Sequence, residues 1–264
     1  MTGAKAEASS MRPAASIVLI RDGESGLEVF MLERHQGGAV VFAGAMVFPG
    51  GKVDSEDAAA DWDTLASPPP SPPERRFWIT AVRETFEEAG VLLARKSGGS
   101  AIIDGATAHS MVEQARASGY RNDSGAFASV IAGNGLKVAL DGMIHFGHWI
   151  TPDWQPKRFD THFFLAATPA DQAHNVDMGE SAEGLWLKPQ QVLDDTAAGK
   201  RKLVAVTRFT LELLAGWATV AEAMAEARKR RVVTVQPWRE KTANGMVLRI
   251  PPEAGYLRSE MKVE

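Results

Sequence analysis

The sequence contains no cysteine in 264 residues. Disulfides, thiolate zinc sites, iron–sulfur clusters and a cysteine nucleophile are therefore excluded. An excess of positive charge is also missing. The 33 acidic and 29 basic residues leave a formal net charge of −4, so no fold-wide basic field for nucleic acid is expected. No apolar run approaches the ~18 residues of a membrane span, and stretches such as Ala15 to Ile20 are strand-sized. The opening stretch is rich in Ala and Ser and has no apolar signal core. Residues 1–13 are expected to be a disordered leader, and a cytoplasmic location follows by default. What is present, 45% hydrophobic and 23% charged residues, is the makeup of an ordinary globular chain.

β-rich runs at Ser16 to Arg21 and Leu27 to Glu33, separated by a Gly-containing turn, read as an antiparallel pair. Ala45 to Phe48 is a third short strand, stopped by Pro49-Gly50-Gly51. Asp54 to Leu65 reads as a helix, and SPPPSPP at Ser67 to Pro73 as a surface linker that no helix can cross. A strong helical pattern runs from Glu74 to Leu93, and two short helices are expected within Asp104 to Asn134. Strands follow at Leu136 to Leu140, Gly142 to Ile150, Phe159 to Ala166 and Gly184 to Leu187. Pro189 to Ala197 reads as a helix, and Leu203 to Arg231 as two helices broken near Gly216. Val232 to Ile250 resembles a hairpin turning at Asn244-Gly245. Interleaved strands and helices with antiparallel turns indicate a mixed α/β (α+β) domain.

The chemistry is concentrated in Arg83-Glu84-Thr85-Phe86-Glu87-Glu88-Ala89-Gly90-Val91. At ~100° per residue, Glu84, Glu87 and Glu88 fall within one arc of about 100°, while Trp78, Val82, Thr85 and Ala89 take the apolar side. Like charges at i,i+3 and i,i+4 repel by a few tenths of a kcal/mol per pair. An Mg²⁺ ion among these oxygens reverses the sign, and the guanidinium fork of Arg83 can hold one carboxylate in place. A solvated acidic face is the ordinary explanation of one Glu-Glu pair. It does not account for Phe48-Pro49-Gly50-Gly51 upstream, where paired glycines let the backbone approach a ligand closely.

FPGG followed by RETFEEAGV resembles the Nudix box of the Nudix hydrolases, G-x5-E-x7-R-E-U-x-E-E-x-G-U with U a bulky aliphatic. The resemblance implies an α/β/α sandwich with a mixed sheet that cleaves nucleoside diphosphate derivatives with Mg²⁺ or Mn²⁺. By residue match, Glu84, Glu87 and Glu88 would ligate metal, the Gly51 carbonyl would be a further ligand, and Arg83 would orient a glutamate. Two positions depart from the pattern. Thr85 stands at the bulky aliphatic, on the core side of the wheel. About 19 residues, including SPPPSPP, are inserted (about residues 55–73), so Arg75 stands eight residues before Arg83, where the pattern has a glutamate. Glu56 and Glu74 are the candidates for that role, and Asp57 also lies near the right distance from the glycines. The interrupted box, together with Trp149-Ile150-Thr151-Pro152 and Arg158-Phe159-Asp160-Thr161-His162-Phe163-Phe164, resembles the coenzyme A diphosphatase branch. The hydrolase domain would span residues 14–200, with helices and a tail at 201–264 packed on it as an extension.

The expected substrate is coenzyme A or an acyl-coenzyme A, giving 3′,5′-ADP and a 4′-phosphopantetheine. NADH, ADP-ribose, dinucleoside polyphosphates and a non-catalytic nucleotide-sensing role are the alternatives. Glu87 and Glu88, with Glu180 as a candidate base beside Glu183, would act in catalysis. The coenzyme A signature seen upstream of FPGG in related hydrolases has no clear copy here, and Arg34 alone hints at it. Arg34 and Arg158 are the candidate cofactor-binding residues, and Arg158 with Lys157 could meet phosphate. Trp149 and Trp154 read as core or as base-stacking residues, and His162 as core or substrate contact. His145 and His148 have no carboxylate close in sequence and are not read as a metal site. The Arg228 to Arg231 run reads as a charged helix end. The expected partner is a small nucleotide, with neither nucleic acid nor membrane, and family resemblance implies a homodimer.

Overall fold

Alternation along the first strand sets the layers. In β1 (Arg12–Gly23), Ala15, Ile17 and Leu19 enter one apolar core while Val18 and Ile20 enter another. A strand buried on both faces reads as a continuous apolar run, as this one does. The computed structural model describes residues 11–34, 44–117, 125–172 and 182–262. Most of the expected leader, residues 1–10, lies outside the described residues. Arg12 and Pro13 do not belong to a leader, because they pair in parallel with Phe159 and Asp160.

The first half of the chain supplies β2 (Gly26–Arg34), β3 (Ala45–Val47) and β4 (Gly50–Lys52). It then forms α1 (Trp62–Leu65), α2 (Arg75–Ala89), β5 (Ala94–Lys96), α3 (Gly105–Ala117) and α4 (Ala126–Gly133). The second half supplies β6 (Leu136–Val138), β7 (Met143–Ile150), β8 (Phe159–Ala167), β9 (Ala182–Leu187), α5 (Pro189–Ala197) and β10 (Lys202–Leu203). It continues through α6 (Ala205–Leu214), α7 (Val220–Lys229), β11 (Thr234–Val235), β12 (Trp238–Thr242), β13 (Gly245–Arg249) and β14 (Glu260–Lys262).

A mixed sheet in the order β10-β3-β2-β1-β8-β7-β11 forms the middle layer, with β4 paired to β1 and β9 to β2. β1 runs antiparallel to β2 and parallel to β8. On one face Trp78, Val82 and Phe86 of α2 pack with α3 and α4 over Ile17, Leu19 and Phe164. On the other, Phe209 and Leu213 of α6 and Met224 of α7 cover Val18, Val29 and Leu165. This is an α/β/α sandwich. The helices after residue 201 form part of its third layer, because they bury the sheet face that β1, β2 and β8 leave open.

The expected helix Asp54 to Leu65 is broken into a 3₁₀ turn at Glu56–Ala58 and the single turn of α1. Trp62 anchors that segment. It is fully buried against Phe127, and its indole N–H donates to the Glu56 carbonyl at 2.9 Å. The proline stretch that follows is mostly exposed, as expected, and contains a cis Pro72–Pro73 bond. α2 ends at Ala89 rather than Leu93, because Gly90 takes the left-handed conformation at φ 63° and caps it. The C-terminal hairpin is present as β12–β13, and β14 pairs with β13 to make a three-stranded sheet.

Candidate active site

α2 is held both by the chain just before it and by groups far away in sequence. The Trp78 indole donates to the Pro73 carbonyl at 3.1 Å, which fixes the helix to the end of the inserted loop. Thr85 is fully buried, and its hydroxyl donates to the Ala81 carbonyl. It sits on the core side, so the departure from a bulky aliphatic leaves the helix intact. On the opposite side the Gly50-Gly51 turn closes against the helix. A Cβ at Gly50 would lie 2.5 Å from the Ala15 carbonyl oxygen, and one at Gly51 would lie 2.3 Å from a Glu84 carboxylate oxygen. Only glycines allow β4 to approach both β1 and Glu84 so closely.

Arg83 is at the centre of the arrangement and is buried. Its Nε and one terminal nitrogen both donate to Asp57 at 2.9 Å, and that nitrogen also donates to the Lys52 carbonyl at 3.0 Å. The other terminal nitrogen donates to Glu84 at 2.9 Å and Glu87 at 3.1 Å. All five N–H bonds of the guanidinium are thereby used. Burial works against its charge, but the Asp57, Glu84 and Glu87 carboxylates outweigh it and hold the pKa above the ordinary arginine value.

Asp57, rather than Glu56 or Glu74, is the carboxylate that holds Arg83. It sits six residues after Gly51 and is only 2% exposed. It also accepts from the Asp54 amide at 2.9 Å and from the Thr80 hydroxyl at 2.7 Å. Glu56 and Glu74, the two sequence candidates, are both exposed, and Glu74 pairs with Arg76 instead. The insertion hid this role, because spacing counted back from Arg83 cannot find a residue 26 positions upstream. Spacing counted forward from Gly51 does find it.

Glu84 and Glu88 line a large cleft together with Gly51, while Glu87 does not line it and stays on Arg83. Burial, with repulsion from Glu87, overrides Arg83 and pushes the Glu84 carboxyl up to about 7. Glu88 accepts from the Gly50 amide at 2.8 Å. A buried carboxylate beside a second carboxylate and a bare glycine backbone is an oxygen-rich, charge-deficient setting that fits a hard divalent cation. Glu84 and Glu87 accept from Arg83, and Glu88 accepts from the Gly50 amide.

The remaining sequence candidates fall in several places. Glu180 lies outside the described residues. Arg34 ends β2 and Glu183 belongs to β9, but their side chains are not among those described. Arg158 donates to the Thr151 carbonyl at 3.0 Å and so shapes the β7–β8 loop, whereas Lys157, Trp149 and Trp154 line the cleft. His162 faces away from the cleft, between Thr161 and Phe163 that face it. It packs on Phe77, accepts or donates through Nδ1 to His145 at 3.0 Å, and stacks on His148 at 4.1 Å. His148 pairs with Asp160 at 2.5 Å. The carboxylate missing from the local sequence comes from the neighbouring strand, through the register that pairs His148 with His162. His148, Asp160 and His162 each offer an atom within 4.8 Å of the others, and the ion pair with ring stacking accounts for the cluster. Lys229 of the basic run pairs with Glu226, and Arg230 donates to the Gly255 carbonyl at 2.7 Å. The run is therefore engaged within the fold.

The family model of the NUDT19 Nudix domain matches residues 68–206. A Caenorhabditis elegans protein named nudix hydrolase 7 is 32% identical over 195 residues, covering 74% of this chain and 57% of that protein. The acyl-coenzyme A diphosphatase NUDT19 of Homo sapiens is 26% identical over 276 residues, covering 88% of this chain and 73% of the relative. The crystal structure of a NUDIX hydrolase from Alicyclobacillus acidocaldarius superposes with a TM-score of 0.68 at 25% identity, covering 82% of this chain and 96% of that one. Among the described residues, no helix is long and apolar enough to cross a membrane.

Proposed function

Because the chain belongs to the Nudix hydrolase family, we propose that it hydrolyses the diphosphate bond of a nucleoside diphosphate derivative with Mg²⁺ or Mn²⁺. Coenzyme A or an acyl-coenzyme A is the first substrate, and 3′,5′-ADP and a 4′-phosphopantetheine are the products. The observation that carries this reading is the opening of Glu84, Glu88 and the Gly51 backbone into one cleft above a fully saturated Arg83. The similarity to a protein named acyl-coenzyme A diphosphatase supports the choice of substrate.

Arg83, gripped by Asp57 and the Lys52 carbonyl, is a rigid peg that sets the rotamers of Glu84 and Glu87. Glu84, Glu88 and the Gly51 carbonyl would hold the cation. When bound, the cation neutralises diphosphate charge and lowers the pKa of a water. Glu87 keeps contact with Arg83 and completes the acidic edge. The surrounding basic cleft draws in the anionic substrate and orients it for in-line attack.

The test is a hydrolysis panel of coenzyme A, acetyl-coenzyme A, NADH, ADP-ribose and a dinucleoside polyphosphate, with Mg²⁺ or Mn²⁺ and products resolved by chromatography. Coenzyme A should yield 3′,5′-ADP. Glu88→Gln should lower kcat by ~100-fold or more, since a lost metal ligand removes several kcal/mol of transition-state stabilisation. Full activity in Glu88→Gln, or no turnover of any substrate by wild type, overturns the reading.

A further inference from the structure

The cleft holding Glu84 and Glu88 has a volume of about 1530 Å³, larger than the ~300–1,000 Å³ of ordinary small-ligand pockets. Its charge is opposite to that of the molecule. In a chain with more acidic than basic residues, Glu84 and Glu88 are the only carboxylates lining it among the described residues, against basic residues that include Arg12, Lys157, Arg208, Arg239, Arg258 and Lys262. A diphosphate at the acidic edge does not require so much positive charge on the other walls.

Much of this charge comes from one place. Arg239 lies on β12 and Lys262 on β14 of the C-terminal three-stranded sheet, and Arg258 lies between β13 and β14. Arg258 is committed to Glu212 through two hydrogen bonds. Arg239, Lys262 and Lys157 form no ion pair among the described residues. The Arg239 guanidinium lies over the Trp154 ring at 4.7 Å, a contact that orients the planar fork without neutralising it. Trp154 and Lys157 share the loop that Arg158 braces through the Thr151 carbonyl. A braced loop and a sheet thus bring an oriented guanidinium and an ammonium group, Arg239 and Lys157, to the walls of the cleft that holds Glu84 and Glu88.

We propose that Arg239 and Lys157 form a second anion subsite for a phosphomonoester carried by the substrate in addition to its diphosphate. A guanidinium fork with an ammonium group matches a dianionic phosphate, which makes several charge-assisted hydrogen bonds. The substrate class narrows to nucleoside diphosphate derivatives with a ribose 2′- or 3′-phosphate. The C-terminal sheet then acts as a specificity element. This inference rests on the hydrolase reading above and selects among its substrates.

Two measurements keep the two ideas separable. Calorimetric binding of 3′,5′-ADP and 5′-ADP without turnover should favour 3′,5′-ADP by about ten-fold or more, as hydrogen bonds to a charged group imply. Arg239→Ala should bring that ratio close to one, Arg239→Lys should restore part of it, and Arg228→Ala outside the cleft should not change it. In turnover, the kcat/KM ratio of coenzyme A to dephospho-coenzyme A should fall in parallel through KM. Equal binding of the two nucleotides by wild type, or an unchanged ratio in Arg239→Ala with an unchanged unfolding midpoint, overturns the subsite. If the binding ratio behaves as expected but no diphosphate is cleaved, the subsite stands and the hydrolase reading fails. A 2′-phosphorylated nucleotide in the same titration distinguishes the two phosphate positions.

Discussion

Arg83 is a buried cation whose partners come from three places: Lys52 at the end of β4, Asp57 in the 3₁₀ turn, and Glu84 and Glu87 on its own helix. Removing one partner of a buried pair leaves the other charge uncompensated, which costs ~3–5 kcal/mol. Asp57→Asn should therefore lower the unfolding midpoint markedly and reduce activity, since Glu84 and Glu87 lose their fixed peg. Glu56→Gln and Glu74→Gln alter exposed side chains and should stay within about 0.5 kcal/mol of wild type. Denaturant titration of the three variants checks this. Equal, small effects in all three would show that Asp57 does not carry the role.

At the scale of elements, β7 and β8 place three histidines under the start of α2. Burial above all, with repulsion from His148 next, pushes His145 down to about 4 and His162 down to about 3. His148 and His145 face His162 from β7, Asp160 lies on its own strand, and Arg76 acts on it from α2. Unfolded imidazoles titrate near ~6.5, so protons bind the unfolded chain first as pH falls. Stability contributed by the neutral rings is present above about pH 6.5 and is lost progressively below it, toward pH 4 and 3. The urea midpoint should fall between pH 7 and pH 5.5, and His162→Gln should make that fall shallower. A slope identical to wild type in the variant would remove these rings as the cause.

At the scale of the whole molecule, the C-terminal segment is both packing and wall. Tyr256 packs on Trp149 and Phe209, and its hydroxyl accepts the Trp149 indole N–H at 2.8 Å. Arg230 donates to the Gly255 and Ala254 carbonyls and holds the same turn. Tyr256→Phe leaves the buried indole donor unpaired, which costs ~1–3 kcal/mol. The expected result is a lower melting temperature with Trp149 more mobile in fluorescence anisotropy. An unaltered melting temperature would mean that the segment adds no stability through this contact.

The acidic helix edge and the glycine turn were legible in the residues alone, because local spacing determines them. Glu84, Glu87 and Glu88 share a helix edge by periodicity, and the continuous apolar run in β1 matches a strand buried on both faces. Helix ends were less legible, since Gly90 stops α2 through its conformation while the apolar pattern runs on to Leu93. Spacing from Gly51 reaches Asp57, but only the fold shows that Asp57, rather than Glu56 or Glu74, holds Arg83, because the insertion separates the partners in sequence. The fold also decided that Asp160 completes the histidine cluster, through strand register, and that the C-terminal strands wall the cleft. Contacts between residues far apart along the chain leave no helical or strand period in it, so periodicity does not reach them.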